Sequence, residues 1–209
     1  DVVIELLSLY SQLLAPKEED SQIINKKEAE EEFRKRWKNF DKFAQRLNEV
    51  LADFGVNLYL TRQSFMPRQE ERIIKEIYEP ALSFLSHPKW KEVNKILSDS
   101  FDEYIKNTPQ GYSNCVTNTV SAVQAFLQII VNSKTGKGEI AELIRNGQKR
   151  NLIPNDFFSQ KIFNNIESIF AQQRKETGIA HPKKGYATEK NARTALNLAM
   201  IFFQHCVQN

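Results

Sequence analysis

The chain has 209 residues, 41% of them hydrophobic and 26% charged, enough to bury one good core or two small helical ones. Seven glycines, seven prolines and little strand-like alternation speak against a sandwich or barrel and for an all-α fold. A net charge of +3 and a pI near 8.8 permit an anionic partner without demanding one, while two distant cysteines and three histidines, with no Cys-x-x-Cys or His-x-x-x-His spacing, speak against a disulfide scaffold or a zinc site.

Residues 1–15 are apolar but acidic, lack a basic start and are too short to span a bilayer. The expected setting is cytoplasmic, without a membrane partner. Val3, Leu6, Leu7, Tyr10, Leu13 and Leu14 have the spacing of a first helix, and the acidic, polar residues 16–25 read as a loop. A long charged helix is predicted over 27–53, with Phe33, Trp37, Phe40, Phe43, Ala44, Leu47, Val50 and Leu51 facing inward and its charges read as a solvated face. Gly55 ends it, and residues 56–60 are the one strand expected.

A third helix is predicted over 67–84, bent or broken at Pro80. Pro88 suits the first turn of the next segment, which carries Trp90, Val93, Ile96, Leu97, Phe101, Tyr104 and Ile105. Residues 107–111 read as a turn, after which Ser113 is expected to cap a strongly amphipathic helix. A connector at 132–138, a short helix at 140–147 and a helix from Asp156 follow. Cys115 and Cys206 are both flanked by apolar residues and read as reduced, buried thiols.

The chemistry concentrates in residues 171–190. Upstream, Phe158, Ile162, Ile166, Ile169, Phe170 and Gln173 form an apolar stripe that Arg174 prolongs; a permanently charged guanidinium there needs a partner or an anion. Gly178 suits a helix C-cap, Pro182 keeps His181 out of a helix, and Thr188 suits the N-cap of a final helix with Ala192, Ala195, Leu196, Ala199, Met200, Phe203 and Cys206 inward. Arg174 and His181 are thus expected at one end of a two-helix hairpin. His87 and His205 read as incidental.

Arginine, six intervening residues and histidine, with a glycine between and a long helix on either side, resembles the signature of HEPN domains. The nearest resemblance is to the C-terminal domain of abortive-infection proteins. Arg174, Gly178 and His181 match that pattern, whereas Lys175 replaces a frequent asparagine and Pro182 a glycine. The resemblance implies an antiparallel helical bundle over 88–209, preceded by a helical region, 1–87, of unknown role. Some members of the family carry a glutamate in the first long helix, where this chain has Gln124 and Gln128.

The resemblance further implies a ribonuclease needing no metal or other cofactor, in which a ribose 2′-hydroxyl attacks its own phosphodiester. His181 would move the proton and Arg174 would hold the phosphate, with two protomers of a homodimer supplying two of each. Lys175, Lys183, Lys184, Lys190 and Arg193 crowd the same connector and are candidate contacts to an RNA backbone; Tyr186 is a candidate for base stacking. Such a protein acts in phage defence as a toxin, and an antitoxin or other regulatory partner is left open. The alternatives are a non-catalytic module binding nucleic acid or nucleotide, and a helical interaction protein.

Overall fold

A computed structural model describes residues 26–62, 65–69, 71–177 and 185–207. The predicted first helix, the loop to residue 25 and the Gly178 cap lie outside these residues. The chain divides into two compact units between Arg68 and Gln69, not at residue 87. The boundary moves because residues 71–85 pack on the C-terminal helix: Tyr78 Oη donates to Asn197 Oδ1, and Gln69 Nε2 reaches the same oxygen at 3.1 Å.

In the first unit, α1 (Lys26–Asp53) buries Phe40, Ala44, Leu47 and Leu51 along one stripe, as the spacing predicts. Val50, expected inward, is instead 49% exposed; the Phe33 side chain lies outside the described residues. Gly55, at φ +65°, turns the chain out of the helix. β1 (Leu58–Leu60) pairs antiparallel with β2 (Phe65–Pro67), a strand not anticipated. Pro67 stands opposite Leu58 at the end of the ladder, where a missing N–H is tolerated. The buried Asn48 side chain fixes β1 along α1, donating to Leu60 O at 2.9 Å and accepting from Leu60 N at 2.6 Å.

The second unit opens with α2 (Glu71–Ile73), a π-helical stretch (Ile74–Tyr78) and α3 (Glu79–Leu85). This helix starts four residues later than predicted because Pro67 belongs to β2. The irregularity expected at Pro80 is taken up one turn earlier. The Glu79 N–H bonds Ile74 O in the wider π pattern. Pro80 has no N–H to offer Glu76 O, and the Gln204 side chain donates to that carbonyl instead.

A 3₁₀ turn (Pro88–Trp90), in which His87 Nδ1 accepts from Lys89 N, leads into α4 (Lys91–Ile105). α5 (Pro109–Asn132), α6 (Ile140–Lys149), α7 (Phe157–Thr177) and α8 (Glu189–Val207) complete the unit. The fold is all-α apart from the short hairpin. α5 is its axis, packed on α4, α6, α7 and α8. Among the described residues it alone is long and apolar enough to cross a membrane; Val116, Val120, Val123, Phe126 and Leu127 are buried among its neighbours.

Ser113 is not the cap of α5. Thr108 caps it, its Oγ1 accepting from Gly111 N at 3.0 Å, and Pro109 occupies the first turn. A side chain at Gly111 would come within 2.5 Å of Glu103 O, so glycine permits the close approach of α5 to the end of α4. Aromatic rings run through the core: Trp90 lies 4.8 Å from Phe126, Phe126 5.1 Å from Phe203, and Phe163 5.0 Å from Phe202. Cys115 is fully buried, which pushes its thiol up to about 12; Cys206, expected to be buried, is only part-buried, and its partial loss of solvation raises its thiol as well.

Candidate functional site

α7 and α8 run antiparallel. Phe158, Ser159 and Phe163 near the start of α7 all meet His205 near the end of α8, which brings the last turn of α7 to the same end as the first turn of α8. The backbone of Arg174 lies in that last turn. Its side chain, His181, Lys183 and Lys184 lie outside the described residues.

The buried stripe of α7 differs from the predicted one. Ser159, Phe163, Ile166 and Phe170 face the core, whereas Phe158 and Ile169 are exposed. The reason is the start of the helix. Asp156 caps it, accepting from Phe158 N at 2.9 Å and Ser159 N at 3.1 Å, and this sets Ser159 inward. Ser159 Oγ then donates to Asp156 Oδ2 and lies 2.8 Å from His205 Nε2. His205 is therefore a built-in contact between helices rather than an incidental residue.

The far end of the connector is held firmly. Ala187 is buried, and its N–H donates to Ser113 Oγ at 2.9 Å. Thr188 caps α8, its Oγ1 accepting from Asn191 N at 3.3 Å, as the sequence predicts. Tyr104 Oη donates to Glu189 Oε1, and Arg193 Nε stands 3.5 Å from the same oxygen. The Tyr104 and Tyr112 rings pack edge to face at 5.7 Å. Burial, and then the bond to Glu189, hold the Tyr104 hydroxyl far above its ordinary range; burial and the Glu189 charge raise Tyr112. Both are hydrogen-bond donors at neutral pH, not bases.

Lys175 and Lys190 are exposed, and Tyr186 is 56% exposed. Arg193 differs from them, since its guanidinium is directed to Glu189. The structure thus gathers Lys190, Arg193, Glu189, Tyr104 and Tyr112 at the end of the bundle to which the last turn of α7 also comes. Sequence reasoning missed Tyr104, Tyr112 and Ser113 as parts of this end. Thr108-Pro109 is a cap-and-first-turn signal that places Ser113 inside the helix and would have freed it for such a contact. Gln124 and Gln128 face the loop after α5 and hold it. Both donate to Gly138 O, at 2.8 and 3.4 Å, and Gln128 Oε1 accepts from Gly136 N at 2.9 Å.

No known protein family, curated protein or solved structure matches the chain.

Proposed function

We propose that this chain is a metal-independent endoribonuclease of the abortive-infection or toxin type, with Arg174 and His181 of two protomers forming the RNA-cleavage site in a HEPN-like bundle. The observation that carries this reading is the antiparallel α7/α8 hairpin. It brings the turn bearing Arg174 and the anchored end of the His181 connector to one end of the bundle.

In the proposed reaction, one His181 takes the proton of a ribose 2′-hydroxyl as that oxygen attacks the adjacent phosphorus. The partner's His181 gives a proton to the departing 5′-oxygen, leaving a 2′,3′-cyclic phosphate and a 5′-hydroxyl. Arg174 offsets the charge that builds on the phosphate. Lys175 and Lys190 draw in the backbone, Lys183 and Lys184 extend the same run, and Tyr186 stacks on a base. Arg193 acts through Glu189, holding the first turn of α8 in place.

The test is cleavage of several RNAs in excess EDTA by the wild type and by His181→Ala, with the oligomeric state of both measured by light scattering. A well-placed proton-transfer group contributes about 10²–10⁴-fold, so the variant is expected to lose at least about 100-fold while forming the same dimer. Equal cleavage by both proteins would remove His181 from the reaction. Salt-sensitive RNA binding with no cleavage by either would make the chain a non-catalytic binding module.

A further inference from the structure

The outer side of the α7/α8 hairpin is apolar and nearly free of charge. Among the described residues of the second unit, the exposed large apolar side chains are Leu152, Phe157, Phe158, Ile169, Tyr186 and Ile201. Every one lies on α7, on α8 or in a segment leading into them. Spacing aligns the middle of this set along one seam. The Phe158 ring meets that of His205 at 6.3 Å, which puts it on the flank of α7 that borders α8. Ile162 and Ile169, four and eleven residues on, share that flank. Leu198 and Ile201, seven and four residues before His205, continue the seam on α8. Phe158, Ile169 and Ile201 are exposed, and Ile162, Leu198 and His205 half-buried.

Charge is missing from the same surface. From residue 194 to 207 α8 carries no Asp, Glu, Lys or Arg, and from 157 to 173 α7 carries only Lys161 and Glu167. Glu167 stands nine residues after Phe158, half-way round the helix and so away from the seam. Lys161 sits at the edge, its Nζ 5.5 Å from the centre of the exposed Phe157 ring. In a chain with 26% charged residues, a helix pair this bare is not an ordinary solvated face. Depletion of charge together with exposed aromatic and aliphatic side chains is the composition of a permanent contact between identical subunits. Such a face is also self-complementary, since two copies meet on it with no like charges opposed. Its extent is sufficient. Two helices of about 20 residues side by side present roughly 30 Å by 20 Å, about 600 Å² in projection, of the order of the ~800 Å² per partner in a stable interface. A bilayer fits less well, because a helix lying on one carries Lys and Arg along its polar flank, which the middle of neither helix supplies.

We infer that the outer seam of α7 and α8 is the surface on which two copies of this chain join about a two-fold axis. The apolar arc of α7, wider than the core requires, is then accounted for. Ser159, Phe163, Ile166 and Phe170 serve the core, and Phe158, Ile162 and Ile169 serve the partner. The seam runs up to the end of the hairpin where the connector begins, so with the axis along the helices each copy brings its Arg174 and His181 to the other's. That last consequence rests on the proposed ribonuclease function; the seam itself does not.

The experiment measures association of the wild type, Ile201→Glu, Ile201→Lys and Asn164→Glu by sedimentation velocity over a concentration series, with circular dichroism of each. The wild type is expected to be a dimer at micromolar concentration. A charge at position 201 is opposed by its own copy across the axis, and either variant is expected to associate at least about 100-fold more weakly with its helical content kept. An equimolar mixture of the Glu and Lys variants is expected to regain the dimer, a result that a misfolded variant cannot give. Asn164→Glu, exposed and away from the seam, is expected to dimerise as the wild type does. A wild-type dimer that both substitutions at Ile201 leave intact overturns the inference and leaves the ribonuclease reading untouched. A dimer joined through the seam that cuts no RNA supports the inference and removes the ribonuclease reading. A monomeric wild type overturns the inference, whether its seam then takes up phosphatidylserine vesicles or another protein.

Discussion

At the scale of single residues, the contact between Asp156, Ser159 and His205 is the most informative. Ser159 is 1% exposed and its one hydroxyl proton goes to Asp156, so its oxygen receives a proton from His205 Nε2. The proton count therefore fixes His205 with Nε2 protonated. Ser159→Ala removes both bonds and leaves a part-buried ring nitrogen to be resolvated, a loss of about 1–3 kcal/mol by chemical denaturation. The pH dependence has a definite sign. Accepting the Ser159 hydroxyl and nearby N–H groups holds the Asp156 carboxyl below its ordinary value, so its contribution is complete above the unfolded carboxyl range and is lost as pH falls through the folded one. Ser159→Ala is expected to move the Asp156 titration, followed by NMR, back toward the ordinary value and to flatten the acid limb of the stability profile. An unchanged Asp156 titration would show that the hydroxyl does not hold it.

At the scale of elements, the contact between α8 and the helix over 71–85 separates two kinds of loss. Tyr78 is wholly buried, and both its hydroxyl and Gln69 Nε2 donate to Asn197 Oδ1. Tyr78→Phe takes away one donor from an oxygen that keeps another, and is expected to cost about 1 kcal/mol. Asn197→Ala strands the buried hydroxyl without its acceptor and is expected to cost more, about 2–3 kcal/mol. Equal losses in urea melts would mean that the hydroxyl finds another partner. Much of this level was legible in the sequence. The apolar spacing and cap residues marked α1, α7 and α8, because periodicity and capping act locally. Pro80 announced an irregularity, but nothing local said that the Gln204 side chain would become the donor to the orphaned Glu76 carbonyl. β2 was missed because Pro67 after a polar run reads as a helix start, and its pairing with β1 is decided at a distance. Val50 and the Phe158/Ile169 stripe failed for the same reason: apolar spacing identifies a face, while the cap at Asp156 and the neighbouring helices decide which flank of it is covered. At the candidate site, Arg174 and His181 stand out by type and spacing, whereas Tyr104, Glu189 and Ser113 join the same end only through packing between distant segments.

At the scale of the whole molecule, the division at Arg68 and Gln69 makes a prediction about folding and activity together. The ring sequence Trp90, Phe126, Phe203, Phe202 and Phe163 is internal to the second unit, as are the contacts that fasten α8 to the helix over 71–85 and Ala187 to α5. None of these needs a residue before 69. A fragment of residues 69–209 is therefore expected to fold alone, with helical circular dichroism and one cooperative calorimetric transition. At about 0.7 kcal/mol per residue its unfolding enthalpy near 60 °C is expected to be about 100 kcal/mol. A broad transition of much smaller enthalpy, with strong binding of a hydrophobic dye, would show that the first unit completes this core. A folded fragment also tests the proposed activity. It retains the α7/α8 hairpin and is expected to keep the turnover rate at saturating RNA. A fragment that is folded and dimeric yet inactive at saturation would mean that the first unit takes part in the chemistry itself.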